Sequence, residues 1–145
     1  MKTVADILKS KPEHRVHTVS PTSTVLEAIS LMADKGIGAL VVIEGEAVVG
    51  IVSERDYARK IALMERSSYN TEVGEIMSTT VITVSPEQSN EHCMALMTEK
   101  RLRHLPVIEA GKLIGLISIG DLVKDIISDQ KFMIEQLEGY IRGEL

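Results

Sequence analysis

The 145-residue chain has one cysteine, Cys93, no tryptophan and only 3% aromatic residues. A single cysteine excludes an internal disulfide framework. Scarce aromatics leave the core to Val, Ile, Leu and Met. They also argue against a single-stranded nucleic-acid platform, which stacks bases on exposed rings. The net charge is −5, so a broad footprint on a phosphate backbone, and hence a nucleic-acid partner, is not expected. No apolar run approaches the roughly 20 residues that span a bilayer. The opening "MKTVADILKS" lacks the long apolar stretch of a secretory signal. The reading is therefore a cytosolic protein with no membrane partner. There is no P-loop and no Gly-x-Gly-x-x-Gly. His14, His17, His92, His104 and Cys93 show no metal-ligand spacing, so no metal is expected.

What the chain does contain is itself, twice. Aligned without gaps at an offset of 65 residues, positions 16–61 match positions 81–126, with about a third of the pairs identical. Chance at ordinary residue frequencies gives a few per cent. "TVSP" meets "TVSP"; Leu31, Met32 and Lys35 meet Leu96, Met97 and Lys100; "GIVSERD" (50–56) meets "GLISIGD" (115–121). The preceding "VADIL" and "VGEIM" also correspond.

Each copy reads as helix, strand, helix, hairpin, helix. The residue before a proline avoids helix, so "VHTVSP" and "VITVSP" read as extended. Thr24 with Glu27, and Ser89, are placed as helix caps, and Gly36 as a helix stop. The β-rich pairs "GALVVI/AVVGIVS" and "HLPVI/KLIGLIS" are joined by Gly-containing turns. Cys93 aligns with Ala28 inside a helix, which fits a small packed residue better than a nucleophile. The expected organisation is a first repeat over 1–66, a second over 67–128 and a C-terminal helical tail over 129–145. Neither copy buries much surface alone, so one internally symmetric α/β (α+β) domain, two small sheets flanked by helices, is the natural solution. In the tail, Ile127, Ile134, Leu137 and Ile141 fall on one helical stripe. It either caps the domain or packs against another chain, with contact in a homodimer favoured.

The ordered set, repeated, of "TVSP" after a helix, "HLPVI" in the second copy, and Gly-aliphatic-aliphatic-Ser-x-x-Asp in both resembles a tandem pair of cystathionine-β-synthase-type (CBS) domains of the stand-alone kind, a Bateman module. The resemblance covers about residues 2–128. It implies binding of an adenine nucleotide (AMP, ADP, ATP, or in some members NAD(H) or S-adenosylmethionine) in clefts between the two sheets. It also implies a sensing and signalling role toward an unidentified protein partner, and frequent dimerisation.

The Ser-x-x-Asp box has its own chemistry. Ser is a preferred N-cap, and an acid in the first helical turn meets the positive end of the helix dipole. Capping alone explains both boxes. A carboxylate fixed there can also accept two hydrogen bonds from a ribose diol. The resemblance assigns ribose binding to Ser53 and Asp56 and to Ser118 and Asp121. Phosphate needs cations or free backbone donors. Arg55, Arg59 and Lys60 in the first copy, and Lys100, Arg101, Arg103 and His104 in the second, are the candidates, with a solvated charged face as the alternative. The resemblance groups Ser118 and Asp121 with Lys11, Arg15, Val16, Gly38 and Ala39. It groups Ser53 and Asp56 with Met77, Ser78, Val81, His104, Leu105 and Pro106. Ile51 and Ile117 would sandwich the adenine. The clefts are expected to be unequal, the one containing Arg103 and His104 binding more tightly. No reaction is expected. The rival readings are a ligand-free structural or dimerisation module and, less favoured, a nucleotide-using enzyme.

Overall fold

The computed structural model describes residues 2–11 and 16–143; Arg15 and His14 lie outside them. The elements run α1 (Val4–Ser10), β1 (Thr18–Val19), α2 (Val25–Lys35), β2 (Ala39–Glu44), β3 (Ala47–Ser53), α3 (Glu54–Tyr57), α4 (Asn90–Lys100), β4 (His104–Glu109), β5 (Lys112–Ser118) and α5 (Ile119–Ile141). The chain continues from α3 into a π-helical turn over Ala58–Ala62, and a 3-10 turn over Val73–Glu75 stands where α1 stands in the first repeat. One sheet has the order β1-β2-β3 and the other is the hairpin β4-β5.

The hairpins are built alike. β2 and β3 pair antiparallel with a bulge at Val42/Ile43, and β4 and β5 pair antiparallel with one at Val107/Ile108. The first turn takes positive φ at Gly45, and the second at Ala110 and Gly111. Gly36 ends α2 in the left-handed region (φ 65°), and Arg101 ends α4 in the same conformation (φ 56°). The early strand survives as β1 in the first copy, parallel to β2. In the second it is reduced to one bridge, Val84 with Val107.

The two repeats exchange their leading segments. Val4 and Ile7 of α1 are buried in the core of the second repeat, with Cys93, Met97, Leu105, Val107, Ile117 and Leu122. Val73 and Ile76 are buried in the core of the first, with Val25, Ala28, Met32, Leu40, Val42, Val52 and Ile61. The hydrogen bonds repeat across the exchange. Val4 N donates to Gln88 O (2.8 Å) and Ala5 N to Pro86 O (2.9 Å); Val73 N donates to Ser23 O (2.8 Å) and Gly74 N to Pro21 O (2.8 Å). Bridges between Thr3 and Ser89 and between Thr24 and Glu72 complete the correspondence. A seven-residue helix such as α1 is marginal alone. Here it has a Thr3–Asp6 capping box, and two buried aliphatics contributing about 1.5–3 kcal/mol each.

Close backbone approach fixes Gly50. A Cβ there would lie 2.6 Å from Met77 Sδ and 2.9 Å from the Ser78 carbonyl oxygen. Ser78 cannot withdraw, because it exchanges two backbone hydrogen bonds with Ile51, at 3.0 and 2.8 Å. At the matching Gly115 the obstacle is the terminal Leu8 Cδ2, also at 2.6 Å, and that side chain can rotate. Gly50→Ala is expected to cost about 1–3 kcal/mol and Gly115→Ala less. Urea denaturation checks this: a lower midpoint for Gly115→Ala than for Gly50→Ala would contradict the assignment.

Candidate functional site at the strand–helix junctions

The chain leaves β3 at Ser53 with extended backbone and turns into α3; it leaves β5 at Ser118 in the same way and turns into α5. At each junction Ser and Asp cap one another. Asp56 N donates to Ser53 Oγ (3.2 Å) and Ser53 N to Asp56 Oδ2 (2.9 Å). Asp121 N donates to Ser118 Oγ (3.1 Å) and Ser118 N to Asp121 Oδ2 (2.8 Å). The two carboxylate side chains are 16% and 17% exposed, held in place yet still open to an incoming group. The cap uses Oδ2 in both, so each Asp keeps a second oxygen for another partner.

A lysine meets each carboxylate. Lys11, just past α1, donates to Asp121 Oδ2 (2.9 Å) and to the Leu116 carbonyl (2.8 Å). It thereby ties the leading segment of the first repeat to the box of the second. Lys60 lies 3.5 Å from Asp56 Oδ1 and donates to the Ile76 carbonyl (2.8 Å), tying the other box to the other leading segment. Burial alone would raise the Asp121 pKa. The Ser118 amide and the Lys11 ammonium outweigh it, so the carboxyl sits below its usual 3.8.

His104 stands opposite Ser118 in the strand register. Burial pushes its pKa below the ordinary 6.5; nearby Asp121 pulls it up, while Lys11 and Arg103 push it further down. A depressed histidine stays neutral in the folded chain while the unfolded chain takes up a proton. Its stabilising contribution is therefore present above pH 6.5 and is lost as pH falls from there through the folded-state value. His104→Gln is expected to flatten the fall in melting temperature below pH 6.5. Parallel acid limbs for the two proteins would contradict this.

The register also sorts the expected residues. Ala39 is paired with Ser53, and the Gly38 carbonyl accepts from Glu54 N at 3.0 Å. His104 is paired with Ser118, and the Arg103 carbonyl accepts from Ile119 N at 2.9 Å. Gly38 and Ala39 thus sit beside the Ser53–Asp56 box, and Arg103, His104, Leu105 and Pro106 lead into the Ser118–Asp121 side. The sequence reading had crossed these groups over. A hairpin brings the start of one strand to the end of its partner, so a pre-strand segment stands beside the box of its own repeat. The leading segments supply what crosses between repeats: Lys11 reaches Asp121, while Met77 and Ser78 lie against Gly50 and Ile51. Val16 and Val81 are half-buried on the stretches that follow those segments, and Arg15 falls outside the described residues. Arg55 and Arg103 are exposed.

One side chain cannot play the part expected of it. Ile117 is fully buried in the second core, together with its strand partner Leu105. Along β5 the faces alternate, so a step of one residue moves a side chain from the partly exposed face to the core. The counterpart of Ile51 is the half-buried Leu116, which the sequence reading missed. The repeat offset itself pairs Ile51 with Leu116 and so carried the signal. Pro106 and Ala39 are buried without belonging to either core. Cys93 is buried, which pushes its thiol pKa up, as a packing residue's would be.

Among the described residues no cluster of three His, Cys, Asp or Glu could hold a metal ion, and no helix is long and apolar enough to cross a membrane. The CBS-domain family matches residues 4–63 and 73–128. The chain is 40% identical over 149 aligned residues to the mitochondrial CBS domain-containing protein CBSX3 of Arabidopsis thaliana, covering 97% of this chain and 72% of that one. A solved CBS-domain protein from Burkholderia ambifaria MC40-6 shares 60% identity with a TM-score of 0.85, over 89% of this chain and 96% of that one. The structure of CBSX2 in complex with AMP shares 27% identity with a TM-score of 0.71, over 88% of this chain and 98% of that one. Two matched repeats, each ending its hairpin in a Ser–Asp box against the leading segment of the other, make this chain a member of the CBS-domain family, built as a tandem pair.

Proposed function

We propose that the chain is a non-catalytic regulatory module that binds an adenosine nucleotide (AMP, ADP, ATP or NAD(H)) at the two Ser–Asp boxes and signals its occupancy to a protein partner. The observation that carries this reading is the pair of half-enclosed carboxylates, each fixed by its own cap and facing the exchanged segment of the other repeat. The AMP complex of the related CBSX2 supports it. The ribose diol would donate to Asp56 or Asp121, and the aliphatic Ile51 or Leu116 would cover one adenine face. A ligand bridging a box and a leading segment would alter how the repeats pack, and thereby the surface offered to a partner. The module acts in the cytosol and self-associates as a homodimer.

The clefts are not equivalent. Asp121 has Lys11 bonded to it and His104 nearby, with Arg103 next to His104, whereas Asp56 has Lys60 and, at the positions matching Arg103 and His104, Gly38 and Ala39. The Asp121 cleft therefore binds the phosphorylated ligand more tightly. Arg103→Ala is expected to weaken AMP binding there about tenfold, in keeping with a partly solvated charge-assisted hydrogen bond, and to leave adenosine binding unchanged. Calorimetry with both ligands tests this; unchanged AMP affinity, or an equal loss for adenosine, would count against a phosphate role.

A further inference from the structure

The helix α5 does not stop where the repeat stops. It runs unbroken from Ile119 to Ile141, and its apolar side has little to cover it. Ile119, Val123, Ile126, Gln130, Met133, Leu137 and Tyr140 follow one another at alternating steps of four and three, the spacing of a helix-to-helix seam. The six apolar members are 43%, 43%, 37%, 60%, 55% and 73% exposed in that order, and Ile127, Ile134 and Ile141 flank them at 59%, 55% and 81%. Contiguous apolar exposure of this kind marks an interaction surface. None of the four tail residues expected either to cap the domain or to meet another chain is buried against this one.

The pattern is a palindrome. Counted from Gln130, apolar residues stand at three positions on either side (Ile127, Met133), four (Ile126, Ile134), seven (Val123, Leu137) and eleven (Ile119, Ile141). Next to the centre the charges are opposite, Asp129 before and Lys131 after. At ten positions out, Tyr140 faces Gly120, where a Cβ would meet only Ser118 Oγ, at 3.6 Å. The other repeat has Arg55 at that point. A two-fold interface is self-complementary, and an antiparallel pair of identical helices about Gln130 places apolar on apolar, Asp129 on Lys131 and Tyr140 on Gly120; five positions out it places Asp125 on Glu135, where Lys2 already pairs with Asp125. The half before Gln130 is anchored by the buried Leu122 and by Lys2 contacts to Asp125 (2.9 Å) and Asp129 (3.1 Å). The half after it is exposed except at Gly139.

We propose that a second copy of this chain docks on α5, antiparallel and with the two-fold axis at Gln130, so that each free arm lies along the anchored half of the other helix. The inference rests on the self-association proposed above and gives it a geometry. The groove of about 490 Å³ between α4 and α5, lined by Met94, Ala95, Thr98 and Ile126 among others, receives the partner's Ile134. An unrelated amphipathic helix would not require the palindrome. An anionic membrane surface would want a basic polar face, whereas residues 129–143 carry Asp129, Glu135 and Glu138 against Lys131 and Arg142.

Sedimentation equilibrium of the full chain tests it. The parent is expected to be a dimer. Ile134→Glu with Leu137→Glu is expected to weaken it about 100-fold, since each charge would be buried unpaired, while AMP binding and the far-ultraviolet spectrum stay unchanged. Lys131→Asp is expected to weaken the dimer, and adding Asp129→Lys to restore it. On oxidation, a mixture of Val123→Cys and Leu137→Cys chains is expected to cross-link, and neither alone. A monomeric parent would overturn both self-association and this geometry. A dimer that survives the double glutamate variant, or a Val123→Cys chain that cross-links to itself, would overturn the geometry and leave self-association standing.

Discussion

Ile7→Ala is expected to destabilise the second repeat, although the first repeat encodes Ile7. The side chain is 2% exposed and packed in the cluster that holds Leu105, Ile117 and Leu122. Truncating a buried isoleucine costs about 2–5 kcal/mol, depending on how far the cavity collapses. The reciprocal Ile76→Ala, from 1% exposure in the other cluster, is expected to weaken the first repeat by a similar amount. Native-state hydrogen exchange separates the two effects, because local openings report on the unit that carries each amide. With Ile7→Ala, β4 and β5 are expected to lose protection before β2 and β3; with Ile76→Ala the order inverts. Loss of protection first in β2 and β3 for Ile7→Ala would mean that the exchanged segment does not hold the second core. The same exchange sets each Ser–Asp box against the leading segment of the other repeat, through Lys11 on Asp121 and Lys60 between Asp56 and the Ile76 carbonyl.

Asp121→Ala is expected to remove about 100-fold of adenosine-ligand affinity from its cleft, and Asp56→Ala the same from the other. A hydrogen bond to a charged acceptor contributes about 1.5–3 kcal/mol, and the ribose diol can make two, which exceeds the 2.7 kcal/mol of a 100-fold change. The same carboxylates also cap helices, and losing a cap costs about 0.5–2 kcal/mol of stability. Asn variants separate the two roles. Asp121→Asn keeps an acceptor for the Ser118 amide but replaces one oxygen by a donor, which cannot accept from a hydroxyl. It is expected to fold near the parent's stability and still bind poorly. Parental affinity in both Asn variants would leave the boxes as caps and nothing more.

Much of this was legible in the chain itself. The 65-residue offset carried the hairpins, the caps at Thr24 and Ser89, the left-handed stop at Gly36 and both Ser–Asp boxes, because all are local: a turn residue or a cap is set by its immediate neighbours. The seating of Gly38 and His104 beside their own boxes was misread, although strand register dictates it. Ile117 was misplaced for a related reason, since a period of two gives no tolerance to a shift of one. The exchange of α1 and the 73–75 turn left no local trace, because packing between segments distant in the chain is chosen by shape and burial. Lys11 was grouped correctly with Asp121, yet its bond to the Leu116 carbonyl depends on where α1 ends in space.

The most direct test is a calorimetric titration of the full chain with AMP, ADP, ATP, NADH and S-adenosylmethionine, with adenosine as competitor. The expected result is saturable binding of at least one adenine nucleotide in two unequal steps. The tighter step should be abolished by Asp121→Asn, and adenosine should displace the ligand. Absence of heat with every one of these ligands, or binding that neither Asp56→Asn nor Asp121→Asn alters, would contradict the assignment of the Ser–Asp boxes as adenosine sites.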